Sequence, residues 1–199
     1  MKVIGLTGPS GSGKGWVCRL ISQFGIPCID TDAVYHQLLA PPSPCLDELS
    51  STFGINILRN DGSLDRAALA SIVFSDEAKL KLLNEVTHKY ILGKTDSILE
   101  KYRVQGCIAA IVDAPALFES GYDKKCDFVI TVTAPREKRI DRIIKRDALT
   151  EEAARKRIDA QKPDEFYSSH ANYTVTNNGC DTILEQELND ILRREGLIV

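Results

Sequence analysis

A glycine-rich turn near the N-terminus limits the choice of fold more than any other segment of this sequence. The turn matches the pattern G-x-x-x-x-G-K and reads Gly8-Pro9-Ser10-Gly11-Ser12-Gly13-Lys14. An apolar run at 3–6 precedes it, and apolar residues recur at helical spacing after it, as far as Phe24. Glycines let successive N–H groups turn towards an anion, and the positive end of the following helix faces the same point. Residues 8–14 are therefore predicted to bind phosphate and are called the phosphate loop below.

The residue after this loop departs from the common pattern. Most such loops have Ser or Thr after the lysine, where the hydroxyl binds Mg²⁺. Here Gly15 stands in that place and Trp16 follows it. A direct hydroxyl ligand for Mg²⁺ at that place is therefore absent. At Gly15 the sequence resembles nucleoside monophosphate kinases, which often read G-K-G-T and hold the metal largely through waters, but Trp16 stands where they have Thr. The residues predicted here to bind ATP are Gly8, Ser10, Gly11, Ser12, Gly13, Lys14, Gly15 and Trp16.

Further apolar runs predict an α/β fold. They lie at 26–29, 107–112, 128–132 and 173–176, with helical patterns between them. Runs that are apolar throughout are typical of parallel strands covered on both faces. We predict a three-layer fold of the P-loop NTPase type, with a five-stranded parallel sheet and flanking helices, as a single domain over 1–199. Residues 41–105 are expected to form a helical acceptor-binding insertion, and residues 136–168 a lid.

Carboxylates follow two of the predicted strands. Asp30 and Asp32 come after the second run, and Asp113 ends the third. Ligands of open α/β sheets bind at this edge, where a carboxylate can accept the proton of a hydroxyl that is being phosphorylated. We assign that role to Asp32, let Asp30 orient the loop or a metal-bound water, and let Asp113 or Asp32 reach Mg²⁺ through water. The alternatives are that Asp32 caps a helix over 33–39 and that Asp113 is a turn residue.

The helix predicted over 136–146 is rich in arginine. Arg139, Arg142 and Arg146 fall on one stripe of that helix. Guanidinium groups can stabilise the charge of a transferring phosphoryl group, and we assign this role to Arg142 and Arg146. The alternative is a solvated face with surface ion pairs.

Composition narrows the functional classes. Lys and Arg number 25 against 28 Asp and Glu, a net charge of −3, which argues against bulk electrostatic binding of nucleic acid. No apolar run is long enough to span a membrane, and no charged-then-apolar leader opens the sequence. The six cysteines form no C-x-x-C pair, so we expect reduced thiols that act as small buried hydrophobes, in a cytoplasmic protein. We also expect a monomer or a weak homo-oligomer.

Together these segments resemble the dephospho-CoA kinase family over almost the whole chain. The most specific segment is P-A-L-F-E at 115–119, where the family reads P-L-L-F-E. The other matching segments are the phosphate loop, 25–32 with its D-x-D, 62–66, 73–74, 87–88, 142–152, 157–161 and 177–179. One departure is Lys89, which stands where the family has Pro after His.

The resemblance implies a reaction and a set of roles. ATP would phosphorylate the 3′-hydroxyl of the ribose of dephospho-CoA, giving coenzyme A and ADP, with Mg²⁺ as cofactor. Asp32 would be the base, and Asn177 would lie in the loop that meets adenine. Residues expected to bind the acceptor are Asp30, His88, Leu117, Phe118 and Glu119. Core packing is the alternative for Leu117 and Phe118, and a capped or solvated helix residue is the alternative for His88.

Two other functions stay open. Gly-Lys-Gly at 13–15 also fits a nucleoside monophosphate kinase acting on CMP, UMP or AMP. Gly15, Trp16 and Lys89 also fit a nucleotide-binding sensor or scaffold that has lost catalysis.

Overall fold

The computed structural model describes residues 1–73 and 76–199. Phe74, part of one segment that resembles the family, lies outside the described residues. The chain divides into two compact units. The sheet unit comprises Met1–Ile29 and Lys101–Val199, and the helical unit comprises Asp30–Glu100.

The described residues contain the five predicted strands. They are β1 (Lys2–Thr7), β2 (Cys28–Asp30), β3 (Ala109–Asp113), β4 (Phe128–Thr133) and β5 (Tyr173–Thr176). The sheet has the order β2-β3-β1-β4-β5, and β1 is parallel to both of its neighbours, as β4 is to β5. The predicted parallel sheet is confirmed. Because β3 and β4 flank β1 on opposite sides, the loop after β1 lies where ligands of such sheets bind.

Helices fill most of the remaining described chain. They are α1 (Lys14–Ser22), α2 (Thr31–Leu38), α3 (Pro44–Phe53), α4 (Arg66–Val73), α5 (Glu77–Val104), α6 (Arg136–Asp147), α7 (Glu151–Asp159), α8 (Asp164–His170) and α9 (Asp181–Arg194). Short 3₁₀ turns lie at Ile55–Ile57 and Tyr122–Lys125. The sequence analysis did not predict α8. A helix of seven residues is too short to show a helical period.

The core of the sheet unit anchors both ends of the phosphate loop. Ile4 and Leu6 of β1 are fully buried, as are Val17 and Ile21 of α1. These side chains belong to one apolar cluster that also includes Leu188 of α9. The strand before the loop and the helix after it are thus held by the same packing.

The helical unit has a separate apolar core, which includes Cys45, Leu49 and Val86. Lys89, which replaces the family's proline, has a clear partner within this unit. Its Nζ lies 2.8 Å from Oε2 of Glu48, and the Tyr90 hydroxyl donates to the same oxygen at 2.5 Å. The hydrogen bond from Lys89 is the main cause that lowers the pKa of Glu48. Lys89 therefore belongs to a polar cluster that ties α5 to α3.

The expectation of reduced, buried cysteines is met in full at Cys45, whereas Cys107 and Cys126 are free but half-buried and the other three positions differ further. Cys18 of α1 and Cys28 of β2 form a disulfide, with Cα atoms 6.5 Å apart. Cys180 is exposed. None of the described helices has the length and apolar character to cross a membrane.

Cysteine labelling tests this packing. Burial is the main cause that raises the pKa of the Cys126 thiol to about 12, and the charges of Asp123 and Asp127 add to it. Because the thiolate is the reactive form, Cys126 should react with iodoacetamide at pH 8 on the order of 100-fold more slowly than exposed Cys180. Mass spectrometry of a labelling time course measures both rates. In guanidinium the two rates should converge, and equal rates in the folded protein would contradict the burial of Cys126.

Candidate active site

The phosphate loop lies between the central strand and the first helix. Gly13 is the N-cap of α1, so Lys14 is the first helical residue. The Lys14 Nζ donates to the carbonyl oxygen of Gly8 at 2.8 Å, which brings the ammonium group back over the loop. Trp16, in the first turn of α1, packs against the apolar core, and the Arg19 guanidinium lies 5.0 Å from its ring centre. Loop amides, a lysine and a helix N-terminus therefore converge in one place, which suits a polyphosphate.

Two glycines are required by close backbone contacts. Gly8 has φ +138°, and a β-carbon there would lie 2.2 Å from the carbonyl oxygen of Val132 in β4. Gly11 has φ +78°, and a β-carbon there would lie 2.6 Å from the carbonyl oxygen of Arg139 in α6. Any larger residue would push the loop away from β4 or α6.

Arg142 contacts the carbonyl side of the loop. Its Nη1 donates to the oxygens of Gly11 and Ser12, at 3.1 and 2.9 Å. Its Nη2 donates to Oδ1 of Asn177 at 2.8 Å. Asn177 is buried and follows β5, where the sequence analysis expected a contact with adenine. The structure places these two predicted site residues together, behind the phosphate loop.

Arg146 is more exposed than Arg142. Its Nε and Nη2 donate to the carboxylate of Asp147, both at 2.8 Å, and Nη2 also lies 3.3 Å from the Ser10 hydroxyl. The hydrogen bond from Arg146 is the main cause that lowers the pKa of Asp147 to about 2, and Arg157 adds to it. The Asp147 carboxylate is therefore charged at neutral pH and keeps Arg146 at the edge of the loop.

The P-A-L-F-E segment contributes side chains in three environments. Leu117 is fully buried and touches Gly5 of β1, as the core-packing alternative expected. Phe118 is half-buried, and its ring centre lies 5.9 Å from that of Phe166 and 5.3 Å from that of His170. Glu119 is exposed. The aromatic contacts with α8 were missed, since nothing in the sequence linked Phe118 to a helix there.

The first aspartate of the D-x-D segment, and not the second as considered above, is the N-cap of the helix that follows. Helix α2 begins at Thr31, and its N-cap is Asp30, whose Oδ1 accepts from the N–H groups of Asp32 and Ala33 at 2.9 and 3.0 Å. Asp32 lies in the first turn with an exposed side chain. The alternative in which Asp32 caps a helix starting at 33 is therefore wrong.

Asp113 and His88 complete the predicted set. Asp113 ends β3 opposite Leu6 of β1 and is half-buried, so a carboxylate lies at the strand edge beside the loop. His88 is half-buried on α5, within the helical unit.

The sheet is parallel, and its central strand leads into a G-x-x-x-x-G-K loop that carries a lysine and is surrounded by arginines. This is the architecture of a P-loop kinase. The sequence model of the dephospho-CoA kinase family matches residues 2–182. This chain belongs to that family. The predicted fold and the predicted resemblance are both confirmed.

Individual relatives agree with this family. A dephospho-CoA kinase from Corynebacterium glutamicum is 39% identical over 189 residues, which cover 95% of this chain and 94% of that protein. The crystal structure of TT1252 from Thermus thermophilus is similar with a TM-score of 0.81 at 32% identity, over 97% of both chains. The dephospho-CoA kinase from Campylobacter jejuni has a TM-score of 0.68 at 28% identity, over 100% of both chains. The chain is thus a transferase that uses a nucleotide, ATP.

Alanine substitutions at Gly11 of the phosphate loop and at Gly15 of α1 should have different effects on stability. Gly11→Ala would place a β-carbon against the Arg139 backbone at a positive φ, so we expect the free energy of unfolding to fall by about 1–3 kcal/mol. Gly15→Ala is the matched control, because among the described residues no heavy atom outside its chain neighbours and the adjoining backbone of α1 lies within 4 Å of its β-carbon position. Alanine there should be neutral or add up to about 1 kcal/mol. Urea denaturation measures both, and a neutral Gly11→Ala would contradict the close contact with α6.

Proposed function

We propose that this chain transfers the γ-phosphoryl group of ATP to the 3′-hydroxyl of the ribose of dephospho-CoA. The products are coenzyme A and ADP, and the reaction is the last step of coenzyme A biosynthesis. The observation that carries the proposal is the phosphate loop on the central strand of a chain that matches the dephospho-CoA kinase family over residues 2–182. It favours this function over the nucleoside monophosphate kinase and over the inactive sensor.

The phosphate loop binds the nucleotide. Its N–H groups and Lys14 hold the phosphates, and they stabilise the charge that builds up on them in a loose phosphoryl-transfer transition state. Arg146 is the arginine better placed to add positive charge at the γ-phosphate, since its exposed side chain lies at the Ser10 edge of the loop. The donors of Arg142 are instead directed at loop carbonyls and Asn177.

Asp32 is the proposed base. Asp30 is the N-cap of α2, so the Asp32 carboxylate in the first turn of that helix does not serve as the cap. Asp32 would take the proton of the 3′-hydroxyl as that oxygen bonds to the γ-phosphorus. The bond from the γ-phosphorus to the bridging oxygen breaks, and ADP leaves with that oxygen.

Asp113 is proposed to hold Mg²⁺ through a bound water, with Asp32 as a second candidate for the same role. Mg²⁺ prefers oxygen ligands, keeps several waters and needs only one or two carboxylates besides the phosphates. A half-buried carboxylate at the end of β3 fits that requirement, and Gly15 adds no oxygen from its side chain. When bound, the ion neutralises charge on the β- and γ-phosphates.

We propose that the acceptor is contacted by Asp30, His88, Phe118 and Glu119. Leu117 would act from the core by holding the segment in place. Asn177 is proposed to position the loop near adenine. The segment 41–105 is proposed as the acceptor-binding insertion, and 136–168 as a lid that excludes water during transfer.

We also propose that the protein works in the cytoplasm, where ATP is available, as a monomer or weak homo-oligomer that binds neither nucleic acid nor membrane. The net charge of −3 supports this proposal.

Asp32→Asn tests the base. Asparagine keeps the shape of the side chain but cannot take a proton, so kcat with dephospho-CoA should fall by about 10²- to 10⁴-fold. ATP affinity, measured by calorimetry, should stay within a few-fold. Asp190→Asn, at an exposed position of α9, is the matched control and should keep wild-type kcat. Turnover of Asp32→Asn within a few-fold of wild type would show that another group is the base.

Acceptor preference tests the reaction itself. With ATP and Mg²⁺, the wild-type protein should have a kcat/KM for dephospho-CoA at least about 100-fold above those for CMP, UMP and AMP, because a site that pairs with a substrate's polar groups rejects analogues lacking them. ADP release in a coupled assay measures all four. A preference for a nucleoside monophosphate would favour the rival kinase class, and ATP binding without any turnover would favour the sensor.

A further inference from the structure

The Arg139 side chain of α6 is buried beside the phosphate loop and links that loop to Gln161 and Asp164. Its side chain is only 6% exposed, and each guanidinium nitrogen has a partner. Nε donates to the Ser10 carbonyl at 3.1 Å, Nη1 to Oδ1 of Asp164 at 3.0 Å and Nη2 to Oε1 of Gln161 at 2.7 Å. The same Gln161 oxygen accepts from the Ser10 N–H at 3.2 Å. Ser10 is therefore held through both of its backbone polar groups.

Arg142, one turn further along α6, holds the next part of the loop in the same way. Its Nη1 binds the carbonyl oxygens of Gly11 and Ser12, and Asn177 orients its Nη2. Both arginines thus bind the loop through carbonyl oxygens.

These contacts determine where two N–H groups point. In a trans peptide the N–H points opposite to the C=O of the preceding residue, and within the described residues the cis peptide bond is at Pro41–Pro42. The Ser10 carbonyl shares its peptide plane with the Gly11 N–H, and the Ser12 carbonyl shares one with the Gly13 N–H. The Gly11 carbonyl shares its peptide plane with the Ser12 N–H, which donates to the Pro9 carbonyl at 3.2 Å. When α6 holds the Ser10 and Ser12 carbonyls, the Gly11 and Gly13 N–H groups face the opposite side of the loop, where such loops cradle phosphates.

We propose that Arg139 and Arg142 are positioning residues that aim the Gly11 and Gly13 N–H groups at the β-phosphate of a nucleoside di- or triphosphate. The inference rests on the proposed binding of ATP at the phosphate loop. A lysine cannot replace either arginine, because one planar group must donate to several acceptors in different directions. For Arg142 this role differs from the clamp on the transferring phosphoryl group that the sequence suggested.

A comparison of the affinities for ADP and ATP separates a residue that positions the loop N–H groups from one that clamps the γ-phosphate. Both nucleotides carry the β-phosphate, so loss of an aiming residue should weaken both by the same factor. Loss of a γ-phosphate clamp should weaken ATP and leave ADP unchanged. Isothermal titration calorimetry with Mg²⁺ and no acceptor can measure both dissociation constants for the full chain.

The variants are Arg139→Lys and Arg142→Lys, which keep the positive charge but remove the planar guanidinium group and its several N–H donors. Each should raise the Kd for ADP and for ATP equally, by at least about tenfold, which is the usual effect of losing a hydrogen bond to a charged group. Arg193→Lys, at an exposed position of α9, is the matched control and should bind like wild type. Circular dichroism reports folding. If Arg139→Lys does not fold, Arg142→Lys and Gln161→Leu carry the test, the latter by removing the oxygen that holds the Ser10 N–H.

Weaker ATP binding with unchanged ADP binding would overturn the inference, as would wild-type affinity for both nucleotides. No acceptor is present, so an error in the acceptor assignment would leave this result intact. A wild-type protein that binds neither nucleotide would instead overturn the proposed function.

Discussion

The arrangement around the phosphate loop depends on the close approach of α6 to the loop backbone at Gly11. A β-carbon there would lie 2.6 Å from the Arg139 carbonyl oxygen, so helix and loop touch backbone to backbone. At that distance, arginines of α6 reach the loop carbonyls without an intervening water. Apolar packing of Ile140 and Ile143 with Ile158 of α7 holds α6 in position. One steric contact thus links the packing of two helices to the shape of the loop.

The arginines near the phosphate loop differ in how strongly burial affects their charge. The chain carries a net charge of −3, yet cations gather around one short segment. Burial lowers the pKa of the Arg139 guanidinium, and Asp164 opposes that effect. A buried guanidinium is tolerated only when its donors are satisfied, and here all three nitrogens have acceptors. Arg146 is exposed and paired with Asp147, so its charge is not removed from water and its side chain lies where a ligand can reach it.

The sequence predicted features that depend on local pattern, and it missed those that depend on packing. The strands followed from unbroken apolar runs, and the loop followed from G-x-x-x-x-G-K. Asp30 and Asp32 are equally good caps by residue type, so only the start of α2 at Thr31 decides between them. The arginine stripe showed which side chains share a face of α6, but not that Arg139 would be buried against carbonyls. Cys18 of α1 and Cys28 of β2 are brought together by the fold, with Cα atoms 6.5 Å apart, and no cysteine spacing indicates this pair.

The position of Trp16 gives this protein a natural optical reporter. It is the single tryptophan in the chain and lies in the first turn of α1, two residues after the phosphate-loop lysine. Its ring rests on the apolar core, and the cation of Arg19 lies 5.0 Å from its centre. Indole emission responds to nearby charge and to polarity, so the tryptophan fluorescence of the unlabelled protein originates beside the loop, with no second indole to obscure it. A change in occupancy or shape of that loop can therefore be followed in real time without adding a dye.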